Sequence, residues 1–145
     1  MNKRNSALAL LIAFLGAIFL PSSGQSDTDT LVIITHKSVS VGHMTTAEIR
    51  RLFLKERMDW KSGERAFPIN GKPGTKARML FQEKVLSMSD NDETIYWQNQ
   101  KIKRGLTPPP EFTNTQRAVF SLKGSISYCL KSEHKPGTSK IILTL

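Results

Sequence analysis

The sequence predicts an α/β three-layer sandwich built on a small mixed sheet. Three observations carry this. Short apolar runs of strand length alternate with segments of helical periodicity. Turn residues separate nearly every pair. The chain is long enough for one core but not for two. The predicted order is strand, helix, strand, helix, helix, helix, strand, strand.

Leu31 to Thr35 is a continuous apolar and β-branched run, as expected of a strand buried on both faces. His36 to Met44 reads as a loop. Thr45-Thr46-Ala47-Glu48 is a capping box, with Ile49, Leu52 and Phe53 on one face of the helix it opens. That helix should end near Lys55. Met58 to Arg65 holds Trp60 and the turn-prone Ser62-Gly63, and Ala66 to Ile69 forms a short strand. Asn70-Gly71-Lys72-Pro73-Gly74 reads as a tight turn that opens a helix from Thr75 to about Leu86, with Ala77, Leu80, Phe81 and Val85 on one face. Ser89 to Glu93 gives the next helix an acidic N-terminus. Lys101, Lys103 and Arg104 complement its other end, and Gly105 can take the left-handed C′ position. Pro108 to Pro110 is a stiff connector. Thr113 to Gln116 fits a capping box for a short helix that runs through Leu122 and stops at Gly124. Ser125 to Leu130 and Lys140 to Leu145 are the closing strands.

The N-terminus predicts export. Lys3 and Arg4 precede an uncharged apolar run from Ala7 to Leu20. Pro21 then breaks any helix, and Ser22 and Gly24 are small residues two apart. This is the pattern of a cleavable signal peptide over residues 1–24, with cleavage after Gly24. The apolar run is shorter than the ~20 residues needed to span a bilayer. No Cys follows it, so a lipid anchor of the bacterial lipoprotein kind is not expected. The remaining domain, residues 25–145, is expected in a Gram-negative periplasm. Removing Lys3 and Arg4 leaves 19 basic against 12 acidic residues, a net charge of +7. That excess suits anionic partners such as small oxyanions. Nucleic acid is the least expected of these for an exported chain.

The single Cys129 excludes an intramolecular disulfide and sits in an apolar strand, where a structural role is expected. There is no G-x-S-x-G, H-E-x-x-H or C-x-x-C. His36 and His43 have no carboxylate between them. The acids Asp90, Asp92 and Glu93 suit helix capping, and Trp60, Tyr96 and Trp97 suit packing. An enzyme is therefore not expected, nor a metal or a cofactor. The sharpest local feature is a strand followed by Lys72-Pro73-Gly74-Thr75-Lys76 and a helix. Backbone N–H groups at a helix start are unpaired, and a glycine lets an anion approach them. Gly74, Thr75, Lys76, Arg78 and Lys72 are the candidate ligand-binding residues. The same residues also fit a plain turn in which Thr75 only caps the helix.

The motifs together resemble a known family. Thr45-Thr46-Ala47-Glu48-Ile49-Arg50-Arg51-Leu52-Phe53-Leu54-Lys55, then Trp60-Lys61-Ser62-Gly63, is similar to a stretch recurring in the phosphate-binding proteins of ABC transporters. Gly74-Thr75 with Phe81 and Val85-Leu86 resembles that family's Ser-Gly-Thr anion loop and its helix. Tyr96-Trp97, Gly105 with Pro108-Pro109, and Gly124-Ser125-Ile126-Ser127-Tyr128 resemble its compact single-lobe branch. The likeness covers about residues 31–130. It implies a single lobe of the type 2 periplasmic-binding-protein fold and inorganic phosphate or a similar oxyanion as ligand. Three positions depart from the pattern. Pro73 replaces the Ser of the anion loop, Asn70-Gly71 replaces an Arg and leaves Lys72 as the nearest cation, and a Gly is missing before Lys55. A lone lobe would then bind an oxyanion weakly or with a partner completing the site. The alternative is a ligand-free interaction protein docking on a membrane transporter, sensor or other envelope complex.

Overall fold

The computed structural model describes residues 30–145; the signal-peptide assignment over residues 1–24 lies outside the described residues. The elements are β1 (Leu31–Thr35), α1 (Thr46–Phe53), β2 (Phe67–Pro68), β3 (Asn70–Gly71), α2 (Lys76–Phe81), α3 (Asp90–Arg104), β4 (Glu111–Phe112), α4 (Thr115–Ser121), β5 (Ser125–Leu130) and β6 (Lys140–Thr144). A π-helical turn, Gln82–Leu86, continues α2 directly.

The main sheet has the order β2-β5-β1-β6. β1 runs antiparallel to both β5 and β6, whereas β2 runs parallel to β5, so the sheet is mixed. β1 lies inside the sheet, and all five of its side chains are buried. Their alternation splits the core in two. Leu31 and Ile33 pack with Ile49, Leu52 and Phe53 of α1, Phe81 of α2 and Trp97 of α3. Val32 and Ile34 pack on the opposite face with Ile69, Val119 of α4 and Cys129. Helices therefore cover both faces, and the three layers predicted from the sequence are present. Pro68 has no N–H to give a ladder, which suits its place on the edge strand β2.

Caps explain most helix starts. Thr45 accepts from the Glu48 N–H at 3.2 Å, and the Glu48 carboxylate accepts from the Thr45 N–H at 3.0 Å. Lys61 closes on the same carboxylate at 2.6 Å. Its hydrogen bond, with those of Thr45, holds the Glu48 carboxyl down at about 2, against an ordinary value of 4.5. The stability this group contributes is full above pH 4.5 and is lost as the pH falls towards about 2. An NMR titration of the Glu48 carboxyl should show the low midpoint, and Lys61→Ala should move it upward.

Two local readings need correction. Asn70 and Gly71 do not belong to a free turn: they form β3, paired in parallel with β4, and Asn70 N–H donates to Pro110 O at 2.8 Å. The partner strand comes after the prolines, too far along the chain for a local pattern to show. The cap of α4 is Asn114, whose side-chain oxygen accepts from Arg117 N–H at 3.0 Å, rather than Thr113. Gln116 cannot close the expected box because its amide is engaged elsewhere, donating to Glu133 O and accepting from Lys135 N–H. The first helix ends at Phe53 with Leu54 as its cap, next to the expected end near Lys55, whose φ of 53° stops it there.

Gly124 is the glycine that sequence and packing both demand. Its φ is +77°, and a Cβ there would lie 2.6 Å from the Arg65 carbonyl oxygen. Gly124→Ala should cost at least ~1–2 kcal/mol from the left-handed backbone alone. The clash adds to this, and a lowered urea midpoint at unchanged slope would register both.

Candidate functional site

The helix that follows the Lys72–Thr75 turn begins by capping itself. Thr75 Oγ1 accepts from Arg78 N–H at 3.3 Å and donates to Lys72 O at 2.9 Å. Gly74 takes a φ of +78° at the exposed tip, with nothing within 4 Å of where a Cβ would stand. Lys72, Pro73, Gly74, Thr75 and Lys76 are all exposed. Lys72, Thr75 and Lys76 wall a small cavity of about 130 Å³ together with Thr113, Tyr128 and Glu133. Glu133 sets one carboxylate against the two lysines. Thr115, also in the wall, donates its hydroxyl hydrogen to Tyr128 O at 3.0 Å.

Arg78, the fifth candidate, does not join them. It is only 6% exposed and extends into the interior. Its Nη2 donates to Glu93 Oε1 at 2.7 Å, and Nη1 donates to the Tyr128 hydroxyl oxygen at 3.2 Å. Burial works against the guanidinium charge, but Tyr128 and Glu93 more than offset it and raise the pKa above its ordinary value. Gln82 holds the other side of the pair. Its amide donates to Glu93 Oε2 at 2.9 Å and to Asp90 Oδ1 at 2.6 Å. Tyr128 Oη also accepts from Gly71 N–H at 2.9 Å and donates to Asn70 Oδ1 at 3.4 Å. Burial pushes the Tyr128 pKa up despite Arg78, so the phenol stays protonated and can make these bonds.

The turn therefore separates two concave regions. On one side is the small cavity with Lys72, Thr75 and Lys76. On the other is a cavity of about 550 Å³ that includes Asn70, Pro73, Arg78, Glu93 and Trp97. Sequence reasoning missed Glu93, Gln82 and Tyr128. By sequence Glu93 belongs to the acidic start of α3, but the capping there is done by Ser89 and Asp92. Glu93 and Trp97 are one helical turn apart and both buried, so the inward face of α3 is the pattern that could have found it.

Other chemistry is sparse. Among the described residues no group of three or more His, Cys, Asp or Glu is placed to hold a metal ion. Among them, too, no helix is long and apolar enough to cross a membrane. Cys129 is buried and its thiol is pushed up to about 12, chiefly by that burial, which keeps it unreactive.

No protein-family profile matches the chain, and no curated protein matches it. Solved structures do. A phosphate ABC transporter substrate-binding protein with bound phosphate from Clostridium perfringens is 18% identical, with a TM-score of 0.60 over 79% of this chain and 44% of its own. An ABC-type phosphate transport receptor from Vibrio cholerae is 11% identical, with a TM-score of 0.62 over 79% of this chain and 45% of its own. PstS from Borrelia burgdorferi is 14% identical, with a TM-score of 0.54 over 70% of this chain and 40% of its own. The chain thus spans under half the length of these structures. By their descriptions the first two are a substrate-binding protein and a receptor of phosphate transport. The mixed α/β architecture of residues 30–145 is that of a portion of the phosphate-transporter binding proteins, a single-lobe form of the periplasmic-binding-protein fold.

Proposed function

We propose that this protein is an exported, periplasmic solute-binding-like module, released by cleavage after Gly24, that holds phosphate or a similar oxyanion at the Lys72–Lys76 turn. The observation that carries the reading is the small cavity in which Lys72, Thr75 and Lys76 stand at a helix start on a fold shared with phosphate-transport binding proteins. The first N–H groups of a helix lack intrahelical acceptors and favour an anion. Lys72 and Lys76 supply charge, Gly74 lets the anion come close, and the ligand would sit against the Thr75 side of the turn. The role is binding rather than catalysis. Arg78, already tied to Glu93 and Tyr128, supports the site by fixing the start of α2 from behind.

Calorimetry with phosphate, sulfate and polyphosphate tests this. Phosphate should give saturable heat, and Lys72→Ala with Lys76→Ala should abolish it. Glu133→Gln should tighten binding several-fold, because it removes a carboxylate that opposes the anion. No heat from any of the three anions would refute the reading.

One observation favours the second reading, an interaction protein that docks on an envelope transporter, sensor or outer-membrane complex. Phe67, Phe120 and Leu122 are each more than two-fifths exposed. Phe67 belongs to the edge strand β2, while Phe120 and Leu122 lie at the end of α4. Co-purification from envelope extracts that depends on Phe67 and Phe120 but not on Lys72 would select this reading over the first.

A further inference from the structure

The larger cavity lies between the start of α2, one face of α3 and the connector that leads into β4. Two of its wall residues carry buried donors with no acceptor among the described residues. Arg78 uses its two terminal nitrogens on Tyr128 and Glu93, and its Nε–H is left unpaired. The Trp97 indole Nε1–H is likewise buried and unpaired. The contrast with Trp60 is direct, since that indole donates to Gly124 O at 2.9 Å. A buried N–H without an acceptor costs free energy comparable to a lost hydrogen bond, and few are left so in native proteins. Both belong to residues that line one cavity, and a small side-chain shift would give each an acceptor supplied from outside the chain.

The walls limit what that acceptor belongs to. Pro73, Leu106, Pro108 and the Trp97 side chain give an apolar surface. Asp90, Glu93 and Glu111 outnumber Arg78 and Lys101, so the charged lining is net negative and disfavours an anion. About 550 Å³ falls within the range of small-molecule sites. We propose that this cavity binds a small neutral or zwitterionic molecule with an apolar body and a carbonyl-type oxygen. That oxygen accepts from Arg78 Nε–H and Trp97 Nε1–H, and the apolar body lies on Pro73, Leu106 and Pro108. This site is independent of the oxyanion turn: Lys72, Thr75 and Lys76 line the other cavity, and either site can fail without the other.

The protein has two tryptophans, so a nitrogen–proton correlation spectrum contains two indole signals. N-acetyl-leucinamide and leucine are the probes, with inorganic phosphate as the anionic control. The Trp97 indole signal should move downfield and saturate with at least one probe while that of Trp60 stays fixed. Phosphate should leave both in place. Trp97→Phe, which keeps a ring and loses the N–H, should weaken probe binding about tenfold, read from the Thr94 and Gln98 amides. If that variant does not fold, Arg78→Lys keeps the charge, removes Nε and should weaken binding similarly. The proposal is overturned if neither probe moves the Trp97 signal, if both indoles shift together, or if the folded variant binds as tightly as the wild type. Saturable movement of Trp97 by phosphate would overturn the charge assignment.

Discussion

Glu93→Ala should lower the unfolding free energy by about 3–5 kcal/mol, because it strands a buried guanidinium. Arg78 and Glu93 are each only 6% exposed and meet at 2.7 Å. Without Glu93, Arg78 retains only the neutral Tyr128 hydroxyl, and Gln82 loses one of its two acceptors. Arg78→Met should be similarly costly, since it leaves the carboxylate buried with a single amide donor. The double variant Arg78→Met/Glu93→Leu should lose clearly less than the sum of the two, because no charge is then left unpaired. Tyr128 keeps Gly71 and Asn70 as partners in that variant. Urea unfolding at pH 7 measures all three. Single losses below about 1 kcal/mol, or strict additivity, would show the pair to be incidental.

Phe81→Ala should also cost about 3–5 kcal/mol, the usual range for an aromatic removed from a closed core. Phe81 is fully buried and stacks on Tyr128 with ring centroids 4.0 Å apart and planes 9° from parallel. It also meets Phe53 at 4.5 Å. It thereby joins α1, α2 and β5, and its loss frees the ring that carries the Tyr128 hydroxyl. Phe81→Leu should cost less, because most of the volume is kept. The two variants differ further in a way that touches function. Freeing the Tyr128 ring loosens the hydrogen bond from Gly71 N–H, so hydrogen exchange at Gly71 should accelerate in Phe81→Ala beyond what lower global stability produces.

The layers were legible because each rests on short-range information. β1 announces itself by five apolar or β-branched residues in a row, and Thr45–Glu48 makes its capping box within four residues. The turn at Lys72–Thr75 and its cap were readable for the same reason. What was not legible depends on distant partners. β3 and β4 are two residues each and exist only because Asn70–Gly71 meets Glu111–Phe112. Glu93 looks like any acid at a helix start until α2 brings Arg78 to it from 15 residues away. Arg78 itself shares the basic stretch with Lys72 and Lys76, but it lies on the inward side of the helix, and three-dimensional packing alone tells its role from theirs. Asn70 likewise gives no sign in the sequence that its side chain accepts from a tyrosine 58 residues on.

An oxyanion held at the Lys72–Lys76 turn lies against the first backbone amides of α2. A phosphate titration followed by nitrogen–proton correlation spectra tests it residue by residue. The Gly74, Thr75, Lys76 and Ala77 amides should show saturable shifts, absent in a chloride control of equal ionic strength and lost in the Lys72→Ala/Lys76→Ala variant. Unmoved amides at these four positions at saturating phosphate, or shifts that survive the double substitution, would contradict it.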